Sequence, residues 1–221
     1  MNFIKYITFF FLMNIALSQK ILIPMDNVQT NHLKAYGIAF LHLENGNEIE
    51  WLLNYRGGSF LMDNQDNVEN TCLVRGVNYE MINSTALSEI FTTIESNNMD
   101  IILLEKVPKI AVYSPPGKQH WDDAVTLALT FADIKYDVVF DDEVMSNKIN
   151  DYDWLHLHHE DFTGQYGKFY RSYRNKPWYK KMESDFNTTA KKHGFSCVHN
   201  LKKFIELKIK KYISDGGFLF A

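Results

Sequence analysis

Cysteine is scarce: Cys72 and Cys197 are the only two in 221 residues. Two thiols exclude a disulfide framework, and neither belongs to a Cys-x-x-Cys pair, which excludes a cysteine zinc site. One bridge between them and two buried free thiols both stay open. A basic excess is missing too, with 23 Lys and Arg against 27 Asp and Glu. That balance excludes a nucleic-acid or anionic-membrane partner, because both demand clustered Lys and Arg. The one basic run, Lys202-Lys203, Lys208 and Lys210-Lys211, reads as the wet face of a helix. No apolar run reaches the roughly 20 residues that span a bilayer. Neither a Walker loop nor a dinucleotide fingerprint has its required spacing, and no low-complexity linker interrupts the chain.

Residues 1–18 read as a secretory signal peptide. Lys5 gives a positive start, residues 7–17 an apolar stretch, and Ala16-Leu17-Ser18 a small-x-small cleavage site before Gln19. The competing readings are a buried N-terminal helix or an uncleaved anchor. Export to the periplasm or the extracellular space is expected, with no stable membrane insertion after cleavage. Setting aside these residues, which hold one lysine and no acid, leaves 203 residues with 22 basic and 27 acidic side chains. That length suffices for one large or two small domains with a real core.

Hydrophobic patterning then predicts an α/β fold. Lys20-Ile21-Leu22-Ile23 reads as a buried strand that runs out at Asp26. Residues 31–45 follow helix periodicity, with Leu33, Tyr36, Gly37, Phe40 and Leu41 as the apolar stripe. Residues 49–55 form the next strand, ending in Arg56-Gly57-Gly58-Ser59. Residues 77–82 read as extended and 84–97 as helical. A junction is expected near 98–109, and a new strand over 109–113 ends in Ser114-Pro115-Pro116-Gly117. Trp121, Ala124, Val125, Ala128, Phe131 and Ala132 make a second helical stripe, followed by a strand over 136–140. Strand, helix and strand thus recur over 20–55 and 109–141, which implies two βαβ-type halves, parallel strands and a three-layer, mainly parallel sheet. Residues 166–178 read as a loop. A helix carrying Leu201, Phe204, Ile205, Ile209, Tyr212 and Ile213 precedes a last strand, Phe218-Leu219-Phe220-Ala221, after which more chain is expected.

The strongest functional signal is Tyr152-Asp153-Trp154-Leu155-His156-Leu157-His158-His159-Glu160-Asp161, a buried strand breaking into a polar loop. Ligands of open α/β sheets bind at strand carboxyl ends, so His158, His159, Glu160 and Asp161 are the candidate catalytic residues. His158 or His159 would act as base, with Glu160 or Asp161 orienting it. His156 reads as a satisfied core histidine. Asp26, Arg56, Gly57, Gly58 and Ser59 are the candidate ligand-binding residues, because paired glycines can turn backbone N–H groups inward as an anion nest. A tight turn with Arg56 in a surface ion pair is the structural alternative. Both groups would share one rim only if the strands lie parallel in one sheet. A metal-dependent hydrolase centred on the His158–Asp161 cluster is an alternative, but no metal or cofactor is assigned. The expected partner is a small polar or anionic substrate or ligand, and the oligomeric state is open.

Several strings carry a resemblance. Ile23-Pro24-Met25-Asp26, residues 29–37, Trp51-Leu52-Leu53-Asn54-Tyr55-Arg56-Gly57-Gly58-Ser59-Phe60, Trp121-Asp122-Asp123-Ala124-Val125-Thr126-Leu127 and residues 154–173 resemble a family of exported bacterial proteins commonly labelled asparagine synthetase B. The likeness runs over nearly all of 19–221. It implies a flavodoxin-like, class I glutamine amidotransferase-like fold, with an attacking cysteine expected shortly beyond Ala221. ATP-dependent asparagine synthesis is not implied by the residues: Asn2 stands within the signal peptide where a processed N-terminal cysteine is needed. Arg56-Gly57-Gly58-Ser59-Phe60 also lacks the acid and second serine of a Ser-Gly-Gly-x-Asp-Ser loop. An amidotransferase-like or hydrolase-like exported protein is the first reading, and a non-catalytic small-ligand binding or scaffolding module the second.

Overall fold

The computed structural model describes residues 19–65, 67–115, 123–157 and 170–221. In chain order its elements are β1 (Lys20–Ile23), α1 (His32–Glu44), β2 (Ile49–Leu53), β3 (Ser59–Asp63), α2 (Val68–Arg75), β4 (Glu80–Ile82), α3 (Ser84–Ser96) and β5 (Asp100–Leu104). There follow β6 (Ile110–Tyr113), α4 (Ala124–Ala132), β7 (Asp137–Val139), α5 (Asp141–Met145), β8 (Trp154–Leu157), α6 (Tyr170–Tyr173), α7 (Pro177–Lys192), α8 (Val198–Ser214) and β9 (Phe218–Phe220). They gather into two compact units. The first takes the described residues up to Thr30 and Ile49–Leu104; the second takes Asn31–Glu48 and Glu105–Ala221.

The first unit is built on a five-stranded sheet in the order β4-β1-β3-β2-β5, antiparallel at every pairing. Here the expectation of parallel strands is corrected. Apolar Phe60-Leu61-Met62 follows Gly57-Gly58 closely enough to fold back on β2 as a hairpin, pairing Leu52 with Ser59. β3 therefore separates β1 from β2, and residues 20–55 are not a βαβ unit; α1 belongs to the second unit. One face of this sheet presents Leu22, Leu52 and Leu61, which bury Ile90 and Ile94 of α3. Asn83 starts that helix, its side chain accepting the Ala86 N–H at 2.9 Å.

The second unit carries a four-stranded sheet in the order β7-β6-β8-β9, parallel throughout. Ala111, Tyr113, Val139 and Leu155 face Leu201, Ile205, Ile209 and Tyr212 of α8 in one apolar core. Trp154 and His156 alternate to the other face, where His156 meets Asp123 at the head of α4. α1 packs on α4 so closely that a β-carbon on Gly37 would lie 1.8 Å from the Ala132 carbonyl oxygen.

The helices form where the periodicity puts them, but rotated from the expected stripes. In α1 the buried residues are Ala35, Gly37, Ile38, Ala39, His42 and Leu43, while Leu33 and Tyr36 are exposed. Close packing selects the small side chains over the large ones. In α4 Thr126, Leu129 and Ala132 are buried and Phe131 is exposed, for the same reason. Lys202, assigned above to a wet face, is instead buried: it lies three, seven and ten residues before Ile205, Ile209 and Tyr212, in line with them. The two candidate site groups thus follow strands of different sheets, and the single parallel rim on which they were to converge does not exist.

Candidate functional site at the carboxyl edge of the parallel sheet

β6 and β7 end side by side. Their ladder extends one bond past β6, from the Ser114 N–H to the Val139 oxygen at 3.0 Å. β7 then passes straight into α5, whose first residue is Asp141. This brings the Asp141 carboxylate to the Tyr113 hydroxyl, which donates to it. Lys202 reaches in from α8, its Nζ donating to the Tyr113 oxygen at 2.8 Å and to Asp141 Oδ1 at 2.9 Å. All three side chains are buried. The ammonium also sits 4.1 Å from the centre of the Phe140 ring, whose face attracts positive charge. A buried charge is tolerated only when paired and hydrogen-bonded, and the three groups satisfy that condition for Lys202.

Beside this cluster lies a cavity of about 530 Å³, within the usual range for small-molecule sites. Asp141, Asp142 and Glu143 of α5 form one wall, and Trp178, Asp185 and Phe186 of α7 another. Asp142 is held by Lys192 at 2.7 Å and His193 at 2.5 Å. Those two bonds, Lys192 foremost, keep its carboxyl below the usual range against the opposing effect of burial. Glu143 accepts the Phe140 N–H through Oε2 at 2.9 Å. Ser114, fully buried at the end of β6, has a hydroxyl without a hydrogen-bond partner among the described residues.

His156 sits in the neighbouring strand with both ring nitrogens engaged. Nε2 lies 2.7 Å from Asp123 Oδ2 and Nδ1 3.1 Å from the Phe220 oxygen. Asp123 also accepts the Thr126 N–H at 3.2 Å as the cap of α4. One imidazole therefore ties β8 to β9 and to α4, and its position is that of a satisfied core histidine.

Of the residues chosen from sequence, His158, His159, Glu160 and Asp161 lie outside the described residues. Asp26, Arg56, Gly57, Gly58 and Ser59 do come together, in the first unit. Arg56 donates through Nε to Asp26 at 2.8 Å and through Nη1 to Glu80 at 2.6 Å. Those carboxylates, Asp26 first, raise the guanidinium above its ordinary range, and Arg56 in turn lowers Asp26. Gly57 has φ of 82°, and a β-carbon there would lie 2.3 Å from the Met25 oxygen. The Gly58 N–H and the Ser59 hydroxyl both donate to the Tyr55 oxygen at 3.0 Å. The Gly58 and Ser59 contacts stay within the turn, while Arg56 ties it to Asp26 after β1 and to Glu80 of β4.

Tyr113 and Asp141 are not among the candidate site residues, and Lys202 reads from sequence as part of a wet helix face. The signal for Lys202 is its register with Ile205 and Ile209, and for Asp141 its place at the head of a helix just past a strand. Among the described residues no group of three or more His, Cys, Asp or Glu gathers to hold a metal ion. No helix among them is long and apolar enough to cross a membrane. Both cysteines are free, Cys72 buried and Cys197 partly exposed. Comparison with family models, with curated proteins and with solved structures finds no match to this chain.

Proposed function

We propose that this is an exported, amidotransferase-like or hydrolase-like protein whose small-molecule site lies at the carboxyl edge of the second unit's sheet. One observation carries the reading. Counting strands within that sheet, β7-β6-β8-β9 is the order 2-1-3-4, all parallel, which agrees with the first four positions of the flavodoxin-like order 2-1-3-4-5 and supports that reading. Strand order reverses between β6 and β8, where such sheets bind their ligands. The cavity and the Tyr113–Asp141–Lys202 cluster stand at the same carboxyl edge, beside the ends of β6 and β7. On the resemblance to the family labelled asparagine synthetase B, His158 or His159 takes a proton from the attacking group while Glu160 or Asp161 orients the ring. ATP-dependent asparagine synthesis is not part of the proposal, because Arg56-Gly57-Gly58-Ser59-Phe60 departs from the pyrophosphate loop and residue 2 is Asn.

A second reading, a non-catalytic binding module, is favoured by one feature. The charged groups nearest the cavity floor are already committed, Asp141 to Lys202 and Asp142 to Lys192 and His193. Ammonia release from glutamine and a panel of small primary amides, assayed with the full-length protein, separates the two. Turnover that disappears in the His158→Ala/His159→Ala variant supports the enzyme. Saturable binding without product supports the module, and turnover unchanged by that double substitution rules out the assigned base.

A further inference from the structure

The Asp141 carboxylate has an unused half. Both of its hydrogen bonds, from the Tyr113 hydroxyl and from Lys202 Nζ, end on Oδ1. Oδ2 receives none among the described residues, although the side chain is 1 % exposed and lines the cavity between α5 and α7. A carboxylate oxygen that faces a cavity with lone pairs unspent can accept a hydrogen bond from a ligand there. The surrounding polar groups sharpen what that ligand must be. Glu143 spends only Oε2 on the Phe140 N–H. Asp185, four residues past Lys181 on α7, adds two more carboxylate oxygens to the wall. Among the described residues the polar atoms left open are therefore chiefly acceptors, with Lys181 the one cationic side chain of that lining. Trp178 and Phe186 supply flat apolar surface beside them.

We propose that this cavity binds a small organic cation, a protonated primary amine on a short apolar body. One ammonium N–H would donate to Asp141 Oδ2, and the others would be shared between Glu143 and Asp185. An ammonium brings three donors and no acceptor, which matches a wall of carboxylate oxygens. The apolar body would lie on Trp178 and Phe186, whose ring faces also favour the adjoining positive charge. An anionic ligand would meet four carboxylates and is disfavoured. Lys202 does not compete, since its ammonium is held on the far oxygen by Tyr113 and by the Phe140 ring. The inference rests on the reading of this sheet edge as a small-molecule site and adds the sign of the ligand's charge.

Three isosteric probes test it: n-pentylamine, 1-pentanol and pentanoate, titrated into the full chain while tryptophan fluorescence is followed. A Trp178→Phe variant identifies the share of the signal that comes from the cavity. The expected result is a saturable Trp178 response to pentylamine, at least tenfold weaker for pentanol and missing for pentanoate. Glu143→Gln/Asp185→Asn should weaken pentylamine at least tenfold, and neither exchange disturbs the buried cluster. Equal response to pentanol and pentylamine overturns the cation, as does binding of pentanoate, while leaving the edge as a site. Pentylamine binding unaffected by the double substitution places the amine elsewhere and overturns the assignment. Silence of Trp178 to all three probes removes the cavity itself, whatever the amide-turnover assay returns.

Discussion

Each unit places a cation between acceptors at a sheet edge, and the two do it in opposite environments. In the first, Arg56 bridges Asp26 and Glu80 where water still reaches all three. In the second, Lys202 bridges Tyr113 and Asp141 almost wholly out of water. An exposed pair is screened and contributes little. A buried one is costly to assemble and more costly to break, because removing one partner strands the other's charge. The same kind of contact thus closes a turn in one unit and shapes the floor of a cavity in the other.

The largest expected effect follows from that contrast. Lys202→Met should destabilise the chain by about 3 to 5 kcal/mol, the usual result of orphaning a buried carboxylate. Adding Asp141→Asn to it should recover most of the loss, since the stranded charge is then gone. Arg56→Met should cost clearly less, as Asp26 and Glu80 can turn to water. Urea denaturation of the three variants beside the unaltered chain checks the ranking. Equal losses from Lys202→Met and Arg56→Met would erase the distinction between the two clusters.

The next test concerns backbone rather than charge. Gly57 in the first unit and Gly46 in the second have nearly the same φ, 82° and 84°. A β-carbon at Gly57 would strike the Met25 oxygen, whereas at Gly46 it would meet nothing within 4 Å. Gly46→Ala should therefore cost roughly 1 kcal/mol, the left-handed penalty alone. Gly57→Ala should cost that plus the displacement of the β1 end, so its denaturation midpoint should fall further. Similar midpoints would mean that the turn yields freely.

How much of this could be read from the chain depends on whether the signal is local. The α/β character and the parallel strands β6, β7, β8 and β9 follow from apolar runs with clear ends, and α3 from Asn83 and its spacing. The hairpin at β3 was legible in principle: two apolar runs around a Gly-Gly turn of five residues is a hairpin signature. It was overridden by the βαβ pattern that β1, α1 and β2 imitate. α7 was hidden because Trp178 and Tyr179 continue the aromatic run of the preceding loop, although Pro177 at its first position suits a helix start. The site was harder still. Tyr113, Asp141 and Lys202 are joined by contacts 28 to 89 residues apart in sequence, and a buried lysine beside another lysine looks from sequence like a solvated face. The orientation of Asp141 Oδ2 is a tertiary fact with no local trace.

The cysteines offer a smaller but cleaner comparison. Burial pushes the Cys72 thiol in the first unit up to about 12. Cys197 in the second is partly exposed and held below its ordinary value, mainly by the Asn200 N–H at the start of α8. Thiolate is the reactive form, so iodoacetamide at mildly alkaline pH should modify Cys197 first and leave Cys72 until the first unit opens. Mass spectrometry of partly alkylated protein reads the order directly. Comparable rates would show that α2 opens on the timescale of the labelling.

The smallest effect distinguishes two exposed carboxylates by their partners. Asp26 and Asp142 both titrate below the ordinary aspartate value, Asp26 chiefly through Arg56 and Asp142 chiefly through Lys192 with His193. A carboxylate lowered by folding adds stability above its unfolded pKa, near 3.9, and loses it as pH falls through the folded value. Replacing Asp142 by Asn should therefore lower the melting temperature slightly near neutrality, and the difference should shrink as the pH falls below about 4 and through the lowered folded value. Salt should shrink the neutral-pH difference, because Lys192 and Asp142 are both open to solvent. A difference that persists in acid would mean that Asp142 holds α5 to α7 by packing instead of by charge, and the cavity wall would then stay closed at every pH.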